Sequence, residues 1–357
     1  MHGKRGDLII PSFSAKGVFM FKYILKRLGY ILVVAFILSF LLYMIYNCID
    51  IDYAQLQLAD KQIQLQKDGL WEQTYANMRK KMGLDEPLIM RYLYWMGLAP
   101  LDGAYNGLLQ GNFGYSYVHK TAAVNLLKEP LQNTVFINIF ATILALGITI
   151  PLGIFCAVKK GSKRDTAVQV GSIIGYSIPT FIIAIIFIWL FAVVLGWFPV
   201  QGMSTPNANY TGFRLFLDKL YYMALPLIIM TFCSLGGMTR YVRSSMIEAL
   251  SMDCIRTARA KGLREKSVIY SHAWRNALIP IVTLVIGWFL GIFSGSLIIE
   301  QMFSLNGLGK LYVDALNGKD YQVAMALQMF YVILGLAGNL IIDIAYGLVD
   351  PRVRVNK

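Results

Sequence analysis

"VFINIFATILALGITIPLGIFCAVKKGSKRD", residues 135–165, runs for 24 residues without a charge and then sets four basic residues within six. A helix needs about 20 apolar residues to cross roughly 30 Å of hydrocarbon, so the apolar part predicts a membrane span. The basic part predicts the side on which it ends, because short cytoplasmic loops carry an excess of Lys and Arg. Five other stretches read as spans: 28–46, 168–197, 221–238, 277–299 and 326–349. The run 221–238 is the least regular, interrupted by Pro226, Gly236 and Gly237. Membrane helices tolerate such residues where neighbours satisfy the freed backbone groups. The composition agrees, at 57% hydrophobic and only 15% charged, where a soluble domain carries about a quarter charged residues. The fold class predicted is an all-α polytopic membrane protein with six transmembrane helices and a large loop after the first.

The net charge of +13 raises the question of a nucleic-acid partner, and its distribution excludes one. With six spans and a cytoplasmic N-terminus, the cytoplasmic segments hold 21 Lys and Arg against six acids, among them Glu248 and Asp253. The outer segments hold 12 basic residues and 13 acids. The surplus therefore falls on one side, which places both termini inward. Cys48, Cys156, Cys233 and Cys254 have no metal-ligand spacing and read as small packing residues. No cleavable signal peptide is evident. Met20, which opens "MFKYILKRLGYILV", is an alternative start.

Catalysis finds little support. His2, His119 and His272 form no HExxH or HxxxH pair, and "GLREKS" lacks the second glycine of a nucleotide-binding loop. Within the spans, Asp343 lies seven residues before Asp350, about 10 Å from the cytoplasmic end, with Asn339 one turn away as a possible partner. It reads either as polar glue between helices or as an ion-coupling group, since intramembrane charge is costly. Glu300 sits at the outer end of the fifth span, where an aqueous entrance is one reading. Gly287, Gly291 and Gly295 recur every four residues there. Such a stripe permits close helix packing, within the subunit, against a second subunit or along a narrow path.

The long loop carries its own helix signals. "ADKQIQLQKDGLWEQTYANMRKKMG" ends at Gly83, a C-cap residue type, and "DEPLIMRYLYWMG" opens with acids and Pro87. It reads equally as a cap on the outer face and as a docking surface. On the other side, "CIRTARAKGLREKS", residues 254–267, is a basic helical segment between two apolar runs. Ile255, Ala258 and Gly262 share one face, Arg256 and Arg259 a neighbouring one, and Gly262 suits a left-handed stop. Two readings stand: a helix on the lipid surface, or one that projects to a partner, with Ala258, Ala260 and Gly262 permitting close contact.

At these residues the chain resembles the oligopeptide/dipeptide permease family of binding-protein-dependent ABC importers. Arg256, Thr257, Ala258, Arg259, Ala260, Lys261, Gly262 and Leu263 match the family's "RTARAKGL" core, and His272, Ala273, Arg275, Asn276, Ala277, Leu278 and Pro280 its "HALRNAL-P". Trp274 and Cys254 depart from it. "FKYILKRLGYILV", "MGLDEPLIMRYLYW", "LLQGNFGYSY", "IIEQMFSLNGLGKLYVDAL" (Asn306 replacing proline) and "NLIIDIAYGLVDPRVRV" resemble further family motifs in order, over about 21–355. The stretch 45–83 is longer than usual.

The resemblance implies a type I ABC importer permease in a bacterial inner membrane, and this organisation: an N-terminal segment 1–27, a first span 28–47, an outer loop 48–132, a five-helix core 133–350 with a coupling loop 239–276, and a tail 351–357. Residues 256–263 become the coupling helix that seats in a cytoplasmic ATPase, supported by Glu248, Asp253, His272, Arg275 and Asn276. Gly287, Gly291, Gly295, Glu300 and Asp343 become helix-packing or pathway residues. The partners implied are a second homologous permease, two ATPases that use ATP and Mg²⁺, an extracytoplasmic substrate-binding protein and the bilayer. No cofactor, metal or nucleic acid is expected on this chain. Peptides are the substrate implied; nickel chelates or another small solute, an ion-coupled transporter and a channel are the alternatives.

Overall fold

The computed structural model describes residues 13–49 and 51–349. The expectations for residues 1–12 and for the tail 351–357 lie outside the described residues. The order of elements is α1 (Phe13–Asn47), α2 (Tyr53–Leu58), α3 (Gln62–Lys67), α4 (Trp71–Lys81), α5 (Leu88–Met96), a two-stranded antiparallel hairpin β1–β2 (Tyr115–Ser116, Thr121–Ala122), α6 (Ala123–Val158), α7 (Lys163–Ser177), α8 (Thr180–Phe187), α9 (Gly212–Ser251), α10 (Asp253–Ala260), α11 (Glu265–Ser267), α12 (Trp274–Gly291), α13 (Leu297–Met302), α14 (Leu308–Asn317) and α15 (Tyr321–Val349).

Among the described residues, four stretches are long and apolar enough to cross a membrane: Ile24–Asn47, Ala123–Val158, Gly212–Ser251 and Tyr321–Ile344. Two bent pairs raise the number to six if each is one span: Lys163–Ser177 with Thr180–Val194, bent by 103°, and Glu265–Val282 with Leu284–Gly291, bent by 46°. The irregular run 221–238 lies inside one continuous 40-residue helix. The run 168–197, expected as a single span, is broken instead. Pro179 disfavours helical backbone in the residue before it, and Ile178 sits extended at φ −82°, ψ 130°.

Two boundaries move. The loop expected to reach residue 132 gives way to α6 already at Ala123. The run 277–299 stops being helical at Gly291 and restarts at Leu297, and a neighbour bonds the segment between. The Asn138 amide on α6 donates to the carbonyls of Ile292 and Ser294, at 2.9 and 2.8 Å, so those carbonyls need no partner in a continuing helix.

Three apolar clusters hold the molecule together. At the loop end, Tyr43, Tyr92 and Met96 pack with Leu308 and the start of α15. In the middle, Ile137, Ile183, Met223 and Phe303 join α6, α8, α9 and the α13 region. At the opposite, basic end, Val242 and Met246 of α9 pack with Ile255 and Ala258 of α10 and with Val268, Ile269 and Ala273. The last three belong to a π-helical segment, Val268–Ala273, that leads into α12.

Candidate functional site

The basic end is built from α9 outward. Forty residues at 1.5 Å each make α9 about 60 Å long, twice the hydrocarbon thickness. A break at Met252, with φ −67° and ψ 148°, turns the chain into α10. Ile255 and Ala258 face inward, 0% and 6% exposed, and glue α10 to α9 and the π-helical segment. Gly262 takes φ +74° and ends the turn, a conformation that costs an L side chain roughly 1–2 kcal/mol.

The opposite face of α10 is exposed and basic. Arg259 pairs with Glu265 through Nη2–Oε1 at 2.7 Å, and Arg256 lies 3.4 Å from Asp253. Thr257, Ala260, Lys261 and Leu263 share that exposure. Ala258 does not join them, because it is spent on the chain's own core; close contact with a partner falls to Ala260 and Gly262 alone. Glu248, His272 and Arg275 are exposed around the base. The Asn276 amide donates to the His272 carbonyl at 3.0 Å and approaches Cys254 Sγ at 3.9 Å. The residues expected at the coupling loop thus gather at one end of the molecule.

Beneath α10 lies an ion pair that the sequence reading missed. Arg243 of α9 donates to both oxygens of Asp165, each at 2.8 Å. Asp165 is 2% exposed and also accepts from Gly161 N and Gln169 Nε2. The signal lay in "GSKRD": Ser162 caps α7 by accepting from Asp165 N at 3.2 Å, an S-x-x-D pattern. Nothing in the sequence pointed from Asp165 to Arg243.

The glycines divide. A β-carbon on Gly287 or Gly291 would meet nothing within 4 Å. Both line an open cavity of about 540 Å³ between α12 and α15 and a smaller one, about 230 Å³, bordered by Asn138, Thr142 and Ser234. Gly295 is different: its β-carbon would lie 2.5 Å from Gly309 N. Asp343, on α15, pairs with Arg27 of α1 at 3.1 Å rather than with Asn339, which lines the larger cavity. Among the described residues no group of His, Cys, Asp or Glu has the arrangement of a metal site.

Glu300 does not face an opening; it is 2% exposed. Its Oε1 accepts from Thr134 Oγ1 at 3.0 Å and Ser296 N at 3.2 Å, and its Oε2 from Gly309 N at 2.7 Å and Lys310 N at 3.1 Å. Thr134 Oγ1 in turn accepts from Leu308 N at 2.8 Å. The first three N–H groups of α14, orphans in any helix, are all satisfied by these two side chains. Burial pushes the Glu300 carboxyl above its ordinary value, and the donated hydrogen bonds oppose that only in part. Thr134 and Asn138 escaped the sequence reading, although two polar residues one turn apart beside an apolar run were the available sign.

Residues 149–355 match the sequence model of the binding-protein-dependent transport system inner membrane component, and residues 20–138 match the N-terminal model of the same transport-system membrane components. The oligopeptide transport system permease protein AppB of Bacillus subtilis (strain 168) is 41% identical over 278 residues, covering 77% of this chain and 83% of the relative. The di/tripeptide transport system permease protein DppB of Pseudomonas aeruginosa (strain UCBPP-PA14) is 32% identical over 350 residues, covering 94% and 99%.

Proposed function

The chain belongs to the family of binding-protein-dependent transport system inner membrane components, and from that membership we propose that it is the permease subunit of an ABC importer of peptides. Relatives named as oligopeptide and di/tripeptide permeases support the substrate class. It is a multi-pass membrane protein, and the family name supports a bacterial inner membrane as its place. We read the two bent pairs as single spans, which makes six, with both termini and α10 cytoplasmic and residues 48–122 outside. This chain performs no catalysis in the reading; ATP and Mg²⁺ belong to separate ATPase subunits. A second permease copy of similar fold completes the path, and a binding protein delivers the solute.

The observation that carries the mechanism is the two-sidedness of α10. Its apolar residues are committed to α9 and to the segment entering α12, while Arg256, Arg259 and Lys261 remain exposed. A partner that grips the exposed face therefore moves α9 and α12 as well. ATPase closure shifts the permease between states by the difference in how strongly it holds α10 in each. In this scheme Asp253, Glu248, His272, Arg275 and Asn276 support the grip, and Gly287 and Gly291 border the path.

The test reverses the charge of the exposed face alone. In the complex with its ATPases, Arg256→Glu with Arg259→Glu is expected to leave the chain inserted while binding-protein-stimulated ATP hydrolysis and peptide uptake fall at least about tenfold, since each close charge pair at an interface is worth more than 1 kcal/mol. Uptake at the parental rate would remove the docking role. Liposomes holding this chain alone are expected to pass no peptide; flux there without ATP would favour a channel.

A further inference from the structure

The loop end of the larger cavity is bordered by a tightly bonded segment that no span requires. After Gly291 the chain leaves the helix, forms α13 and α14, and returns at Tyr321. The cavity reaches Ser294, Gly295 and Tyr331 at this end and goes no further. A β-carbon on Gly295 would stand 2.5 Å from Gly309 N and 3.0 Å from Tyr331 Oη. The backbones of α14 and of the segment before α13 are thus in contact beside this end of the cavity.

Beside the apolar contacts of Ile299, Phe303 and Leu308, the segment is held by polar bonds that come chiefly from α6. Asn138 takes the carbonyls of Ile292 and Ser294. Thr134, one turn away, bonds both Glu300 and Leu308 N. Asn133 donates to the Asn306 carbonyl at 2.8 Å. Glu300 then ties α13 to the first turn of α14. Hydrogen bonds of this kind can be broken and remade as a set.

Resting on the permease reading above, we infer that Thr134, Asn138 and Glu300 are positioning residues that hold residues 292–310 as the barrier across the outer end of the translocation path. Release of these bonds is what admits the solute, and their recovery closes the path behind it.

The barrier is read by thiol access. Gly291→Cys, which points into open space, is placed in a full-length chain whose Cys48, Cys156, Cys233 and Cys254 are alanine, assembled with its partner subunits. Sealed vesicles of both orientations receive a membrane-impermeant maleimide without ATP or peptide. In the parent, label is expected only from the side of α10. Thr134→Val or Asn138→Ala, each of which removes two hydrogen bonds, is expected to raise labelling from the opposite side at least about tenfold. Thr134→Ser keeps the hydroxyl that both donates and accepts, and is expected to stay within about twofold of the parent. A merely structural role would lower yield and melting temperature without a sided change, and parental labelling in both Thr134→Val and Asn138→Ala overturns the inference.

Should those variants not accumulate, a lock decides. Asn133→Cys with Asn306→Cys, joined by a short reducible thiol crosslinker, is expected to abolish uptake until reductant restores it. Uptake that persists at full crosslinking overturns the barrier. If the same pair takes up no peptide before crosslinking while the Asn133→Cys and Asn306→Cys chains insert fully, the permease reading fails, and labelling at Gly291→Cys alone judges the barrier.

Discussion

Asp165 carries its charge where burial alone would forbid it, and the fork of Arg243 makes that tolerable. A buried carboxylate must be paired and hydrogen-bonded to stay ionised, and this one meets Arg243 twice at 2.8 Å as well as Gly161 N and Gln169 Nε2. The pair joins the start of α7 to the helix that carries α10. Removing one partner leaves the other charge buried, so Arg243→Ala is expected to cost about 3 kcal/mol. Arg243→Lys is expected to recover only part of it, since an ammonium cannot make the bidentate contact. Thermal unfolding of the purified chain in detergent checks both, and a shift in neither variant would refute the role.

Among the elements, the short helices α2 to α4 that follow the first span are tied to one another by side chains. Asp52 caps α2, accepting from Ala54 N and Gln55 N, and takes further bonds from Tyr75 and Arg79 of α4. Burial works against its ionisation, but the bonds from Tyr75, Gln55 and Ala54 and the charge of Arg79 outweigh it and hold its pKa below the ordinary 3.8. A depressed folded-state pKa contributes stability that is present above the unfolded value and lost as pH falls through the folded one. Hydrogen exchange across α2–α4 is therefore expected to accelerate below about pH 3.8. Asp52→Asn is expected to exchange faster at neutral pH and to lose that acid step. Identical profiles in the two proteins would contradict the tie.

For the whole molecule, sidedness follows from where the charge surplus lies, and two native cysteines report it. Cys48, just after the first span, and Cys254, in α10, are both exposed, and the orientation proposed puts them on opposite sides. In intact cells an impermeant maleimide is expected to label Cys48, and Cys254 only after permeabilisation. Labelling of both in intact cells, or of Cys254 first, would invert the orientation proposed.

The sequence by itself determined where apolar layers lie, which loops are basic, and that Gly262 takes the left-handed backbone just after α10. All of these rest on local composition or on a single residue's backbone freedom. Even Pro179 announced a weak point in its span, though not the 103° bend. Only the tertiary structure decided the rest, because its partners are far apart in the chain: Asp165 with Arg243, 78 residues on, Thr134 with Glu300, 166 residues on, and Asn138 with Ile292, 154 residues on. The run 277–299 is apolar enough to continue as helix to its end. It stops at Gly291, and the carbonyls of Ile292 and Ser294 beyond it bond Asn138 instead; hydropathy cannot register a hydrogen bond that a distant amide supplies.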